Sequence, residues 1–293
     1  MNKGILHGII AYMIWGFFPV FFKLIEEVPA LQIVANRVIW SFLLLVILLS
    51  ARRQWKTLLA SIKGPRFLFA FLIASVLLSV NWLIYVWAVN ADYIIETSLG
   101  YYINPLVSVL LGVVFLRERL RPAQWLPIGL AAAGVLYLTL SYGQPPWISL
   151  ALALTFGLYG LAKKTAPLGS FYGLSIETGM LLIPSLAYLM FLYANGQGAF
   201  GHASPLTLFL LAMTGPVTAI PLLLFGSAAK QIDLYMLGLL QYIAPTQQFL
   251  IGVLLYHEPF TATDLVGFII IWLALALLSA EGYLVRRRHK ALA

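Results

Sequence analysis

Cysteine is absent from the 293 residues, and only 10% of positions are Asp, Glu, Lys or Arg. The first absence excludes disulfides, thiolate metal sites and a cysteine nucleophile. The second excludes an ordinary soluble globule, in which about 25% of residues are charged. The four histidines, His7, His202, His257 and His289, are scattered without metal-ligand spacing. There is no Walker loop, so ATP does not drive this chain acting alone. No Ser/His/Asp set falls at a common depth, and neither a cofactor nor an enzymatic activity is expected.

What is present is apolar: 62% of residues are hydrophobic and the mean hydropathy is +0.94. A membrane-crossing helix needs about 20 apolar residues. Runs between breakers predict ten such helices, near 5–25, 31–51, 67–90, 97–116, 122–141, 147–163, 171–193, 205–229, 234–256 and 262–282. Loops use up the remainder, which leaves no separate soluble domain. The first span is too long for a cleaved signal peptide and lacks a cleavage site.

In a soluble protein the net charge of +8 would point to nucleic acid. Here position decides. With the N-terminus inside, Lys3, Arg52, Arg53, Lys56, Lys63, Arg66, Arg117, Arg119, Arg121, Lys163, Lys164, Lys230, Arg286, Arg287, Arg288 and Lys290 share one side. The other two of the eighteen cations, Lys23 and Arg37, lie within spans. The positive-inside rule then predicts a multi-pass protein of the cytoplasmic (plasma) membrane with both termini cytoplasmic. Its partners are the lipid bilayer and a small-molecule substrate, not nucleic acid.

A shift of 140 residues pairs Leu99 with Leu239, Tyr102 with Tyr242, Ile103 with Ile243, Pro105 with Pro245, Gly112 with Gly252 and Glu118 with Glu258. A shift of 141 pairs Gly16 with Gly157 and Lys23 with Lys164. The expected units are 1–143 and 144–293, each with five spans. Because five is odd, the second unit enters the membrane from the opposite side. The expected fold is an all-α polytopic membrane protein, a 5+5 inverted-topology repeat, with substrate bound near the midplane.

Several stretches carry a family likeness: Asn90-Ala91-Asp92-Tyr93-Ile94-Ile95-Glu96-Thr97-Ser98-Leu99-Gly100-Tyr101-Tyr102-Ile103-Asn104-Pro105-Leu106, Trp15-Gly16, Arg37-Val38-Ile39-Trp40-Ser41, and Gln241-Tyr242-Ile243-Ala244-Pro245-Thr246. Together they resemble the RarD branch of the EamA-type drug/metabolite transporters, from about residue 5 to residue 283. The resemblance implies a central cavity lined by helices 1–4 and 6–9, with helices 5 and 10 peripheral. It also implies transport, often export, of solutes ranging from amino acids to drugs.

An ionisable side chain deep in a span costs at least about 2.5–3.5 kcal/mol and is a candidate for function. Arg37 lies roughly 9 Å into the second span. It reads either as a cavity cation for a carboxylate-bearing solute or as a snorkelling or carbonyl-bracing arginine. Glu177, in the seventh span, is either a proton carrier or a structural hydrogen-bonded glutamate. Its backbone lies about 12 Å from the depth of Arg37, so a direct pair between them is not the simplest expectation. Lys23 reads as an interfacial anchor near Glu26 and Glu27.

Neutral polar residues complete the set. Asn81, Trp82 and Tyr85 lie in the third span, and Tyr101, Tyr102 and Asn104 flank Pro105. Gln241, Tyr242, Gln247 and Gln248 surround Pro245. Pro105 and Pro245 are hinge candidates, since each removes a backbone donor. Trp15, Trp82 and Tyr85 could stack on an aromatic solute. These residues read as a polar cavity, the alternative being hydrogen bonds that merely tie helices together. Two other functions are weighed: a channel or lipid scramblase, which shares the topology, and, less favoured, a membrane enzyme, which would require His257, Glu258 and Asp264 to gather around a metal. A monomer is expected. Gly129, Ala133 and Gly134 leave a dimer open.

Overall fold

Proline opens four of the helices, in the first turn, where its missing N–H has no intrahelical acceptor to satisfy. The computed structural model describes residues 3–62, 64–117, 120–165, 168–232 and 240–292. Among these the helices are α1 (Lys3–Gly16), α2 (Phe18–Lys23), α3 (Ala30–Ala51), α4 (Trp55–Ala60), α5 (Pro65–Asn90) and α6 (Ile94–Leu116). They continue with α7 (Pro122–Tyr142), α8 (Trp147–Thr165), α9 (Ser170–Ala194), α10 (Pro205–Gln231) and α11 (Ile243–Leu250). A π-helical turn, Ile251–Leu255, then leads to α12 (Ala262–Leu292). There is no strand among the described residues.

The chain is thus an all-α polytopic membrane protein. Eight helices, counting α1 with α2 as one, are long and apolar enough to cross a bilayer. Two shorter apolar helices, Trp147–Ala162 and Ile243–Leu255, occupy the sixth and ninth places. Three details depart from the expected spans. The first span breaks at Phe17, the 52–66 segment contains the short α4, and the last helix runs on to Leu292. Leu239, Glu118, Lys63 and Arg119 lie outside the described residues, as do the side chains of Lys163, Lys164, Lys230, Arg286, Arg287, Arg288 and Lys290.

Packing follows a paired pattern. Helix α6 lies on α8 as α11 lies on α1; α10 lies on α1 as α5 lies on α8. Helices α7 and α12 pack chiefly on each other. Gly16 and Gly157, aligned by sequence, receive side chains from aligned positions. A Cβ on Gly16 would collide with Gln247, and one on Gly157 would sit 3.1 Å from Val107.

At one end of the bundle the helix ends are tied by polar contacts. Lys23 Nζ meets Asp92 Oδ1 at 2.6 Å and Glu26 Oε2 at 2.8 Å. Thr207 donates to Glu27 at 2.5 Å, and the Tyr142 hydroxyl donates to Asp264. Glu258 accepts from the amides of Ile94 at 2.7 Å and Ile95 at 2.8 Å. Among the described residues this end gathers Glu26, Glu27, Asp92, Glu96, Glu258 and Asp264, two of which pair with Lys23. At the opposite end Arg121 grips Glu281, Nη2 to Oε2 at 2.8 Å.

Candidate functional site

The interior is organised around Arg37, 3% exposed on α3. Helix α3 can bury it because α10 approaches closely at Gly215. A Cβ there would lie 2.6 Å from both the side chain and the carbonyl oxygen of Trp40. One turn before Trp40 on α3, Arg37 Nε donates at 2.5 Å to Thr218 Oγ1, one turn after Gly215 on α10. Thr207 meeting Glu27 at the start of both helices and Gly215 meeting Trp40 further along make α3 and α10 run parallel.

Aromatic rings pack around the guanidinium. The guanidinium carbon lies 4.2 Å from the Trp82 ring centre, 5.2 Å from Phe18 and 5.5 Å from Phe22. Phe18 and Phe22 share a face of α2 by i,i+4 spacing and meet edge to face. They reach Arg37 because the first span breaks at Phe17. Pro19 has no N–H for the Trp15 carbonyl, and Gln248 Nε2 donates to that oxygen instead, at 3.0 Å.

Tyr85, a turn beyond Trp82, packs against Phe18, Phe22 and Tyr101. Its buried hydroxyl has no hydrogen-bond partner among the described residues. Asn81 is fully engaged: it donates to Leu152 O at 3.2 Å and Thr155 Oγ1 at 3.0 Å, and accepts from Tyr101 OH at 3.4 Å. Asn104 Oδ1, Gln247 Oε1 and Gln248 Oε1 are likewise buried without partners.

The energetics of Arg37 are unusual. Burying a lone ion costs several kcal/mol even after relaxation. A cation–π contact offsets about 0.5–2 kcal/mol, and a hydrogen bond from a charged group about 1.5–3 kcal/mol. No carboxylate lies within ion-pair distance of Arg37 among the described residues. Glu177, fully buried, accepts instead from Tyr159 OH at 3.0 Å.

The residues expected to line one cavity fall into three groups. Arg37, Asn81, Trp82, Tyr85 and Tyr101 form the first. Tyr102 and Tyr242 form the second: Tyr102 OH bonds Thr246 Oγ1 at 2.7 Å, and the two tyrosine rings stack at 6.4 Å. With Thr246, Trp272 and Ser279 they line a cavity of about 370 Å³ between α6, α11 and α12. Trp15 belongs to a third group with Tyr12 and Phe225, against which α11 brings Gln247 to Gly16. Gln241 is half-buried. Of the hinge candidates, Pro105 sits inside an unbroken α6, and Pro245 in the first turn of α11 just after a turn at Tyr242.

Phe18, Phe22 and Thr218 are central here yet were not singled out from the sequence. Thr218 left a signal: Thr207, Thr214 and Thr218 fall on one face of an otherwise apolar helix. The phenylalanines left none. Glu258 and Asp264, considered as metal ligands, turn to separate partners, the α6 amides and Tyr142 with Thr261.

The profile of the EamA-like transporter family matches residues 2–140. An uncharacterized transporter of Bacillus subtilis (strain 168), YojE, is 44% identical over 99% of this chain and 98% of its own. The chain belongs to the EamA-like transporter family. Within that family it is similar to Protein RarD of Escherichia coli (strain K12), 43% identical over 98% of this chain and 97% of its relative. Protein RarD of Streptomyces exfoliatus is 44% identical over 99% and 92%. A crystal structure of a protein only 17% identical superposes with a TM-score of 0.63, covering 94% of this chain and 96% of the other, so the fold is shared. A EamA-like chain of this kind is a membrane transporter.

Proposed function

We propose that this transporter exports small organic metabolites or drugs across the cytoplasmic membrane by alternating access. The two five-helix halves, 1–143 and 144–293, rock as an inverted repeat about the interior between α2, α3, α5 and α10. Both termini face the cytoplasm and the monomer is the working unit. The observation that carries this reading is the buried Arg37 with its three aromatic faces and, among the described residues, no carboxylate partner. An ordinary structural arginine would be ion-paired or would reach the membrane surface. The paired packing of α6 on α8 and α11 on α1 supports the repeat.

Reconstitution in liposomes tests the proposal, with a panel of aromatic metabolites, amino acids and amphenicols under imposed gradients. Saturable movement with counterflow is the expected result. Folded protein that moves no solute would overturn it, and continuous lipid flip-flop without saturation would favour a scramblase.

A facilitator that needs no proton is the second reading, favoured by the engagement of Glu177 with Tyr159. Glu177→Gln separates the two. A carrier role predicts that transport loses its dependence on pH between about 6 and about 8. An unchanged profile in that variant leaves the facilitator.

A further inference from the structure

We infer that the Arg37 site recognises solutes with a net negative charge, namely aromatic or compact apolar carboxylates, rather than zwitterions or neutral molecules. This rests on the transporter reading above and names the substrate class of that same site.

The two structural explanations of a membrane arginine fail on the geometry. A snorkelling side chain would carry its head to the bundle end, yet the guanidinium is held among Trp82, Phe18 and Phe22 and is 3% exposed. A bracing arginine would donate to backbone carbonyls. The Arg37 bond found among the described residues goes to the Thr218 hydroxyl instead, through Nε. Both terminal nitrogens, four N–H donors in a planar fork, therefore have no acceptor there. Arginine does not shed its proton to escape this cost. The charge is balanced when a solute brings an anion.

Neighbouring groups narrow the chemistry. The Tyr85 hydroxyl is buried without a partner and shares Phe18 and Phe22 with Arg37, so it supplies a further donor beside the fork. A carboxylate can accept from a guanidinium in bidentate fashion and still bond a phenol. No carboxylate of the chain pairs with Arg37 among the described residues, so no carboxylate beside the fork would pair with the ammonium of a zwitterion. Trp82, Phe18, Phe22 and Tyr101 offer faces to an apolar or aromatic body.

The test measures binding to the purified full chain, by thermal shift and tryptophan quenching, independently of flux. The probes are benzoate and 4-hydroxybenzoate, with benzamide as neutral isostere and phenylalanine as zwitterion. The expected result is saturable binding of the carboxylates at least about tenfold tighter than of benzamide or phenylalanine. Arg37→Gln should abolish this preference, and Arg37→Lys should weaken it. Should the arginine variants not fold, Tyr85→Phe decides: it removes only the hydroxyl and should weaken carboxylate binding several-fold while leaving benzamide unchanged. Equal binding of benzoate and benzamide overturns the proposal. So does unaltered carboxylate binding in folded Arg37→Gln or in Tyr85→Phe, or no carboxylate binding at all. Carboxylate binding without flux in liposomes would sink the transporter reading and leave the anion site. Flux of neutral solutes indifferent to Arg37 would do the reverse.

Discussion

Glu258 caps a helix that begins 164 residues earlier in the chain. The first amides of any helix lack intrahelical acceptors, and Tyr93 at the N-cap of α6 gives no side-chain bond. One carboxylate satisfies both Ile94 and Ile95. Removing it in Glu258→Ala leaves two buried donors unpaired, at about 1–3 kcal/mol for such a group, and should lower the melting temperature measurably. Burial pushes the Glu258 carboxyl up from the usual range, and the two amides only partly oppose this. A raised value means the folded chain holds the proton more tightly than the unfolded one. The stabilisation is then complete below the ordinary carboxylate pKa and is lost as pH rises through the folded value. Melting temperature should fall over that window in the wild type, and Glu258→Gln should lack that component. Ionisable residues in apolar runs, Arg37 and Glu177 above all, were legible in the sequence because lipid penalises them. Thr218 was harder to read and Phe18 impossible, since a hydroxyl or a phenyl ring in a membrane helix has many ordinary uses.

At the scale of elements, two helices are shaped by what a single residue lacks. Pro19 lacks an N–H, so the Trp15 carbonyl bonds Gln248 and the first span divides into α1 and α2. Pro19→Ala restores a donor to that carbonyl. It should close the break, draw Phe18 and Phe22 from the guanidinium, and reduce solute affinity without unfolding the chain, as read by binding and circular dichroism together. Gly215 lacks a Cβ, which lets α10 meet α3 at the Trp40 backbone. Gly215→Val should separate the helices and cost about 1–3 kcal/mol or more, seen as a lower midpoint in thermal unfolding. The sequence located nearly every helix because hydropathy reports span length directly. It located breaks poorly. Pro105 continues within an unbroken α6, whereas the departures fall at Phe17 and at the π turn Ile251–Leu255. Whether a proline interrupts a helix depends on which neighbour takes up the freed carbonyl, and that is a tertiary matter.

At the scale of the whole molecule, the absence of cysteine turns into an experimental convenience. A single introduced cysteine is the only thiol, so Gln197→Cys, between α9 and α10, should react in intact cells with a membrane-impermeant maleimide. Lys56→Cys on α4 should react only after the cells are opened. The opposite pattern would invert the proposed orientation. The paired helix contacts and the positions of Gly16 and Gly157 were foreshadowed by the 140- and 141-residue shifts. The grouping of the polar residues into three places was not, because a linear repeat gives depth but not the direction a side chain faces. The separation of charge between the two ends has a consequence of its own. Among the described residues six carboxylates crown one end with Lys23, and Lys3, Arg52, Arg53, Lys56, Arg66, Arg117 and Arg121 lie towards the other. For a carboxylate of the proposed class, this field would raise local concentration at the basic end and depress it at the acidic one. Rebinding of such a carboxylate would be slower from the acidic end than from the basic one, and the difference would shrink as added salt shortens the Debye length below its physiological value of about 8 Å.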